Sequence, residues 1–337
     1  MESEAGDDPR ARAALAWCRE RLGRADLRLE PAAADASARR YFRALDGEGG
    51  SRVVMDAPGQ RPAVAAFVRI AGLLHAAGVH APEVLASDLE RGFLLLTDLG
   101  RETYLDALGA GREPGPLYDA ALASLVRWQA ATRPGRLPAY DERLLHAELD
   151  LFVHWYLGRH CGVEPGGAQR RRLERRLAQI VARCQGQAAV YVHRDYMPRN
   201  LMVAAPQPGV LDFQDAVLGP VSYDPVCLFR DAFISWPQGF VRDGLQQYWE
   251  RARAAGLPVP AGFARFWADC QWMGVQRHLK VLGIFARLRY RDGKPRYLED
   301  RGRFIGYLQA AAEAEPGLEE VVGEILALAG EGDGCAP

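Results

Sequence analysis

The chain has 337 residues, of which 49% are hydrophobic, 25% charged and 9% aromatic; this is a globular composition, long enough for two lobes rather than one small domain. Its 42 basic and 43 acidic residues leave a formal charge of −1, so no global field recruits nucleic acid or an anionic membrane. The longest run free of charge, 70–82, is too short to span a bilayer.

In chain order, residues 8–22 read as a surface helix, with Asp8 as N-cap, Pro9 at the first helical position and Gly23 as the stop. Short β-like runs follow at 27–30, 39–45 and 51–56, the last two joined by a DGEGG turn. A helix over 62–77 carries Ala66, Phe67, Ile70, Leu73 and Leu74 on one side, and strands at 84–87 and 93–97 complete a small sheet. From Arg101 the pattern turns helical, with candidates at 103–109, 117–132, 141–160, 168–185, 224–235, 239–255, 261–290, 299–313 and 317–329. One stretch interrupts it: between Ala189 and Tyr223, short strands at 190–192, 201–203 and 210–211 alternate with loops dense in His, Asp, Asn and Gln. The fold class is therefore α+β: a small antiparallel-sheet N-lobe over 1–100, a mostly helical C-lobe over 101–330, and a Gly-rich flexible tail at 331–337.

Six cysteines (18, 161, 184, 227, 270, 335) lie far apart with no CxxC pair, which predicts scattered buried thiols. With an acidic N-terminus that lacks an apolar core, they point to the cytoplasm. His146, His154 and His160 are spaced eight and six apart and do not converge on a metal. Arg170–Arg172 with Arg175 and Arg176 read as an exposed helix face rather than a nucleic-acid site.

The interrupting stretch carries the chemistry. It reads His193-Arg194-Asp195-Tyr196-Met197-Pro198-Arg199-Asn200 and, after a short hairpin, Leu211-Asp212-Phe213-Gln214-Asp215. Phosphoryl transfer from a metal nucleotide requires this spacing: one carboxylate takes the proton of the attacking hydroxyl, and an amide oxygen and a second carboxylate hold Mg²⁺ against the phosphates.

The segments YVHRDYMPRNLMV and GVLDFQDAVLGPVSYDP resemble the aminoglycoside phosphotransferase-like kinases, a branch of the two-lobed protein-kinase-like fold. With SARRYFR, VVMDAP, ERGFLLLTDLG and QWMGVQRHLKVLGIFARL they are similar, over nearly the whole chain, to the bacterial N-acetylmuramate/N-acetylglucosamine anomeric kinases of cell-wall recycling. The resemblance implies ATP and Mg²⁺ as cofactors and a small amino sugar as partner. It makes Asp195 the catalytic base and Asn200 and Asp212 the metal ligands. Thr97, Asp98 and Leu99 become the hinge whose backbone meets adenine, and His193 and Asp224 brace the catalytic loop. Other readings are a kinase of another small hydroxyl compound, such as an amino alcohol or antibiotic, and a catalytically silent nucleotide-binding scaffold. The oligomeric state stays open, a monomer included.

Two departures from the kinase pattern stand out. The third strand reads Val53-Val54-Met55-Asp56, with Met55 where a phosphate-contacting lysine is expected, and the helix after it holds no glutamate to pair with one. Lysine occurs only at 280 and 294, against 40 arginines, so an arginine must serve: Arg43 first, then Arg39, which shares its strand face, or Arg40 on the opposite face. There is no GxGxxG; the loop 32–38 is small-residued, with Ser37 as a donor. Between 224 and 300, twelve basic residues face eight acidic ones, which favours a neutral or anionic acceptor over a polycationic one. Arg230, Arg277 and His278 are candidates for a lactyl carboxylate, Asp215 and Asp231 for sugar hydroxyls, and Trp236 either stacks on a pyranose or packs in the core.

Overall fold

A computed structural model describes residues 8–33 and 39–331; Ser37, with the rest of 34–38, and the tail from 332 onward lie outside the described residues. By contacts the chain forms two units, Met1–Ser124 with Arg199–Asp215, and Leu125–Pro198 with Ala216–Pro337.

In the first unit, α1 (Pro9–Leu22) starts where Asp8 accepts the Arg10 N–H at 2.8 Å and stops at left-handed Gly23. Five strands follow: β1 (Arg28–Ala33), β2 (Arg40–Leu45), β3 (Ser51–Asp56), then, after α2 (Arg61–Ala76), β4 (Val84–Asp88) and β5 (Phe93–Thr97). They form one antiparallel sheet in the order β1-β2-β3-β5-β4. Period-two alternation sorts its faces. Phe42, Ala44, Val54, Phe93 and Leu95 pack with Ala11, Ala14, Trp17 and Cys18 of α1. Helix α1 is thus a surface helix, as expected, with one narrow apolar stripe buried on the sheet. Tyr41, Arg43, Val53 and Leu96 turn to a cavity on the other face. After α3 (Tyr104–Gly109) and α4 (Pro114–Ala130), whose last turns belong to the second unit, the first unit is completed by a hairpin pairing Leu201–Met202 with Gly209–Val210.

The second unit is mostly helical. Its centre is the 28-residue helix Phe263–Tyr290, which is buried from Phe266 to Leu288 with few exceptions and carries polar side chains such as Gln276, Arg277, His278 and Lys280 into the interior. Named in order, its elements are α5 (Glu142–Leu151), α6 (Gly167–Gln185), β6 (Ala189–Val192), β7 (Val217–Pro220), α7 (Tyr223–Phe229), α8 (Gln238–Ala254), α9 (the central helix), α10 (Arg296–Glu299), α11 (Arg301–Ala314) and α12 (Pro316–Gly330). The helix expected over 141–160 is α-helical only to Leu151 and widens to a π-helix over Phe152–Cys161. At Gly283 a Cβ would stand 2.3 Å from the Leu151 carbonyl carbon, so only glycine lets α9 lie this close to that segment.

Two further expectations change. The helix expected over 224–235 ends at Phe229, because Asp231 turns its carboxylate to the amides of Phe233 and Ile234 and so competes with the helical pattern. Strand β7 pairs with β6 although it contains Gly219 and Pro220; a Cβ at Gly219 would sit 2.8 Å from Tyr140, so the residue that disguises the strand is what lets Tyr140 pack there. Cys18, Cys184, Cys227 and Cys270 are buried free thiols. Among the described residues no helix is long and apolar enough to cross a membrane.

Candidate active site

In the first unit the hairpin positions Asn200 and Asp212. Leu201 pairs with Val210, and one step further the Leu211 N–H reaches the Asn200 carbonyl at 2.9 Å, so the amide and the carboxylate flank the open end of one ladder. Asp212 has a left-handed backbone (φ +61), a conformation that costs a residue with a Cβ about 1 kcal/mol or more. Gln214 donates to its Oδ1 at 2.8 Å, and the Arg39 guanidinium lies 3.8 Å from the same oxygen. The next residue, Phe213, is fully buried against Phe67 of α2, with ring centroids 4.6 Å apart, which ties the hairpin to that helix.

Both metal-ligand candidates border a cavity of about 470 Å³, within the usual range for small-molecule sites. Its other walls include Tyr41, Val53, Phe67, Leu96 and the three hinge candidates Thr97, Asp98 and Leu99. The three candidate arginines separate. Arg43 also lines the cavity, but its guanidinium is engaged by Asp98 and donates to the Gly100 carbonyl at 2.9 Å, while Ser51 donates to Asp98 at 2.8 Å. Burial opposes ionisation of Asp98, yet the Arg43 and Ser51 hydrogen bonds prevail and hold its carboxyl below the usual range. Arg43 therefore joins β2 to the segment after β5 as well as lining the cavity. Arg40 lies on the opposite face and pairs with Asp8 and the buried Asp56. Arg39 alone of the three pairs with Asp212. Met55, in the expected lysine position, is 1% exposed between Tyr41 and Leu94 in the ladder, and α2 holds no glutamate.

The catalytic-loop candidates lie in the second unit. The buried Asp224 accepts the backbone N–H groups of His193 at 2.7 Å and Arg194 at 3.0 Å. Burial dominates and pushes its carboxyl up to about 7, the two hydrogen bonds offsetting only part of the effect. Arg194 has φ +78, and its carbonyl accepts the Cys227 thiol at 3.6 Å; Asp195 follows, half-buried, with its N–H 3.3 Å from His193 Nδ1.

Below this loop one carboxylate gathers four donors. Glu148 Oε1 accepts from the Arg194 guanidinium and, at 2.9 Å, from Lys280; Oε2 accepts from the Tyr140 hydroxyl and, at 3.0 Å, from Gln276. Lys280 also reaches the Tyr223 hydroxyl at 3.1 Å. Burial opposes the charge on Glu148, but Lys280, Arg194 and the Tyr140 hydroxyl prevail and hold its carboxyl at about 2. Neither Glu148 nor Lys280 stands out in the loop motifs. The available signal was that Lys280 is one of two lysines in an arginine-rich chain.

The acceptor candidates divide. Arg230, Asp231, Arg277 and His278 come together, but none is more than 2% exposed. Arg277 donates to the Arg230 carbonyl at 3.0 Å, Arg230 to Gln271 at 2.6 Å, and the His278 ring packs at a tilt against Tyr307 with centroids 4.9 Å apart. Burial drives the His278 pKa well below its usual value. These four, expected to meet an acceptor, lie buried beside α7 and α9. Trp236 is half-buried against Phe240, 4.7 Å between centroids, and Asp215 is exposed. His146, His154 and His160 turn to separate partners, Glu142, the Asp150 carbonyl and Tyr290.

A profile described as the phosphotransferase enzyme family matches residues 28–263. An N-acetylmuramate/N-acetylglucosamine kinase of Pseudomonas aeruginosa is 54% identical over 299 residues, covering 89% of this chain and 88% of the relative. One of the same name from Pseudomonas putida is 50% identical over 299 residues, covering 89% and 87%. Among solved structures, a choline kinase of Streptococcus pneumoniae superposes with a TM-score of 0.61 at 12% identity, covering 88% of this chain and 98% of the other; that likeness fixes the fold alone.

Proposed function

The chain belongs to the phosphotransferase enzyme family, and from that premise we propose that it transfers the γ-phosphoryl group of ATP to the anomeric hydroxyl of N-acetylmuramate or N-acetylglucosamine, giving the sugar 1-phosphate in peptidoglycan recycling. The observation that carries the reading is identity at half or more of the aligned positions, along nearly their full length, to kinases named for these two sugars. A cytoplasmic location suits an enzyme that draws on ATP. Residues 1–100 are assigned to nucleotide binding and 101–330 to catalysis and the acceptor.

Asn200 and Asp212 offer two hard oxygen donors at one hairpin end. That set suits magnesium, which takes few protein ligands and completes its shell with water and phosphate oxygens. When bound there, magnesium would neutralise charge on the nucleotide phosphates. Arg39, beside Asp212, is assigned to the phosphates in place of the lysine, since guanidinium meets phosphate bidentately. Backbone groups of Thr97, Asp98 and Leu99 are assigned to adenine at the cavity wall. Asp195 accepts the proton of the anomeric hydroxyl while that oxygen bonds to the γ-phosphorus; the bond from phosphorus to the β–γ bridging oxygen breaks and ADP departs. An anomeric hydroxyl is more acidic than an ordinary alcohol, so one carboxylate is a sufficient base. Asp215 and Trp236 are assigned to the acceptor; Arg230, Asp231, Arg277 and His278 support that side from the interior. His193 and Asp224 hold the loop.

The test is incubation of the protein with Mg-ATP and each sugar, followed by phosphorus NMR. A phosphomonoester coupled to the anomeric proton is expected. Phosphate on another carbon overturns the anomeric assignment, and no turnover of either sugar overturns the substrate class.

A further inference from the structure

We propose that Lys280, acting through Glu148 and Arg194, is a positioning residue for the catalytic loop, and that this buried lysine–glutamate pair sets where the Asp195 carboxylate stands. The proposal rests on the reading of Asp195 as the catalytic base.

The loop turns sharply at Arg194, whose left-handed backbone a residue with a Cβ adopts only when its surroundings over-determine it. Three contacts do so. The Arg194 N–H is held by Asp224, its carbonyl by Cys227, and its guanidinium by Glu148. The first two grip the backbone from α7. The third grips the side chain from α5, and Glu148 is itself fixed by Lys280 and Gln276, one helical turn apart on α9, and by Tyr140. Asp195 is the next residue along the chain, so an error in any of these three grips is passed to its carboxylate.

Stability alone does not account for the pair. A buried ion pair exchanged for well-packed apolar residues is often neutral or stabilising, whereas a charge left without its partner is strongly destabilising. The second unit has apolar side chains in plenty around α9, yet it keeps two cations and one anion here. The choice of lysine is also specific. With 40 arginines in the chain, position 280 holds one of two lysines, at a site 8% exposed where Glu148 already accepts from one guanidinium. Lysine supplies a compact charge whose donors can rotate to Glu148 and Tyr223 together; a second planar guanidinium would need more room.

The experiment compares wild type, Lys280→Met, Lys280→Arg and Glu148→Gln in steady state with Mg-ATP and N-acetylmuramate, with circular dichroism and melting curves to show that each is folded. In Lys280→Met we expect kcat to fall by about 100-fold, as a misplacement of about 1 Å does, while KM for ATP and for sugar stay within about threefold. Lys280→Arg, which keeps the charge in a worse shape, should recover part of kcat. A folded Lys280→Met with wild-type kcat, or one in which kcat and both KM values change together, overturns the proposal. If Lys280→Met does not fold, Glu148→Gln carries the same readout and the same criteria; if neither folds, the pair is a strut and the proposal is overturned. An inactive wild type overturns the reading of the active site and this proposal with it, whereas an active wild type with an unaffected Lys280→Met overturns the proposal alone.

Discussion

The two units pair their cations with carboxylates in different ways. In the first, arginines serve at the sheet: Arg43 latches Asp98 to β2, and Arg40 joins Arg10 on the buried Asp56. In the second, a lysine is buried with Glu148 where four donors converge. The lysine–glutamate pair that the kinase pattern places beside the nucleotide is absent there, where Met55 is buried and α2 holds no glutamate, and a pair of the same residue types stands beneath the loop that carries Asp195 instead. Guanidinium meets a carboxylate through two parallel bonds, whereas a compact ammonium fits beside one that already accepts from a guanidinium.

The sharpest way to break this comparison is at the base itself. Asp195→Asn should lower kcat by about 10²- to 10⁴-fold with MgADP affinity, measured by calorimetry, unchanged. Retention of kcat would remove the second unit's claim to the chemistry. Next comes the pair beneath it: Glu148→Gln should destabilise the protein by about 3–5 kcal/mol in denaturant titrations, since two cations lose their buried partner. Its pH dependence has a definite sign. The Glu148 carboxyl is held at about 2 against an ordinary 4.5, so its stabilisation is complete above 4.5 and is lost as pH falls toward 2. That limb of the stability curve, about 3 kcal/mol deep, should be missing from the variant.

A smaller effect is expected from returning a lysine to the sheet. Met55→Lys should lower the stability of the ligand-free protein by about 2 kcal/mol and leave kcat no higher, because α2 offers it no glutamate. A gain in both would show that the first unit merely lacks a lysine and has not been rebuilt around its absence. Smallest is the separation of the arginines: Arg39→Ala should raise KM for ATP by about tenfold with little change in melting temperature. Arg43→Ala should act on the melting temperature first.

Local rules carried much of the fold. Asp8, Pro9 and Gly23 bracket α1 as capping chemistry predicts, and the run Phe93–Thr97 is β5 to the residue. The spacing from Asp195 to Asn200 to Asp212 survives as a loop and a hairpin. What escaped depends on contacts between distant segments. The strand through Gly219 goes unread until Tyr140 is seen against it, and Asp231 reads as helical until its carboxylate is seen turning back to Phe233 and Ile234. Strand alternation places Arg39 and Arg43 on one face but cannot say that Asp98 claims the second. Glu148 sits inside an ordinary amphipathic helix, and its partners lie at residues 140, 194, 276 and 280.

The scarcity of lysine also sets how the protein meets covalent reagents. Acyl-phosphate nucleotides label side-chain amines beside bound phosphates, but no such amine exists before position 280, so the cavity bordered by Asn200 and Asp212 has none to offer. Lys280 is buried and tied to Glu148, which leaves Lys294, part-exposed after α9, as the site for acetyl donors, reducing sugars and cross-linkers. Profiling methods that find kinases by capturing that amine would pass this one by.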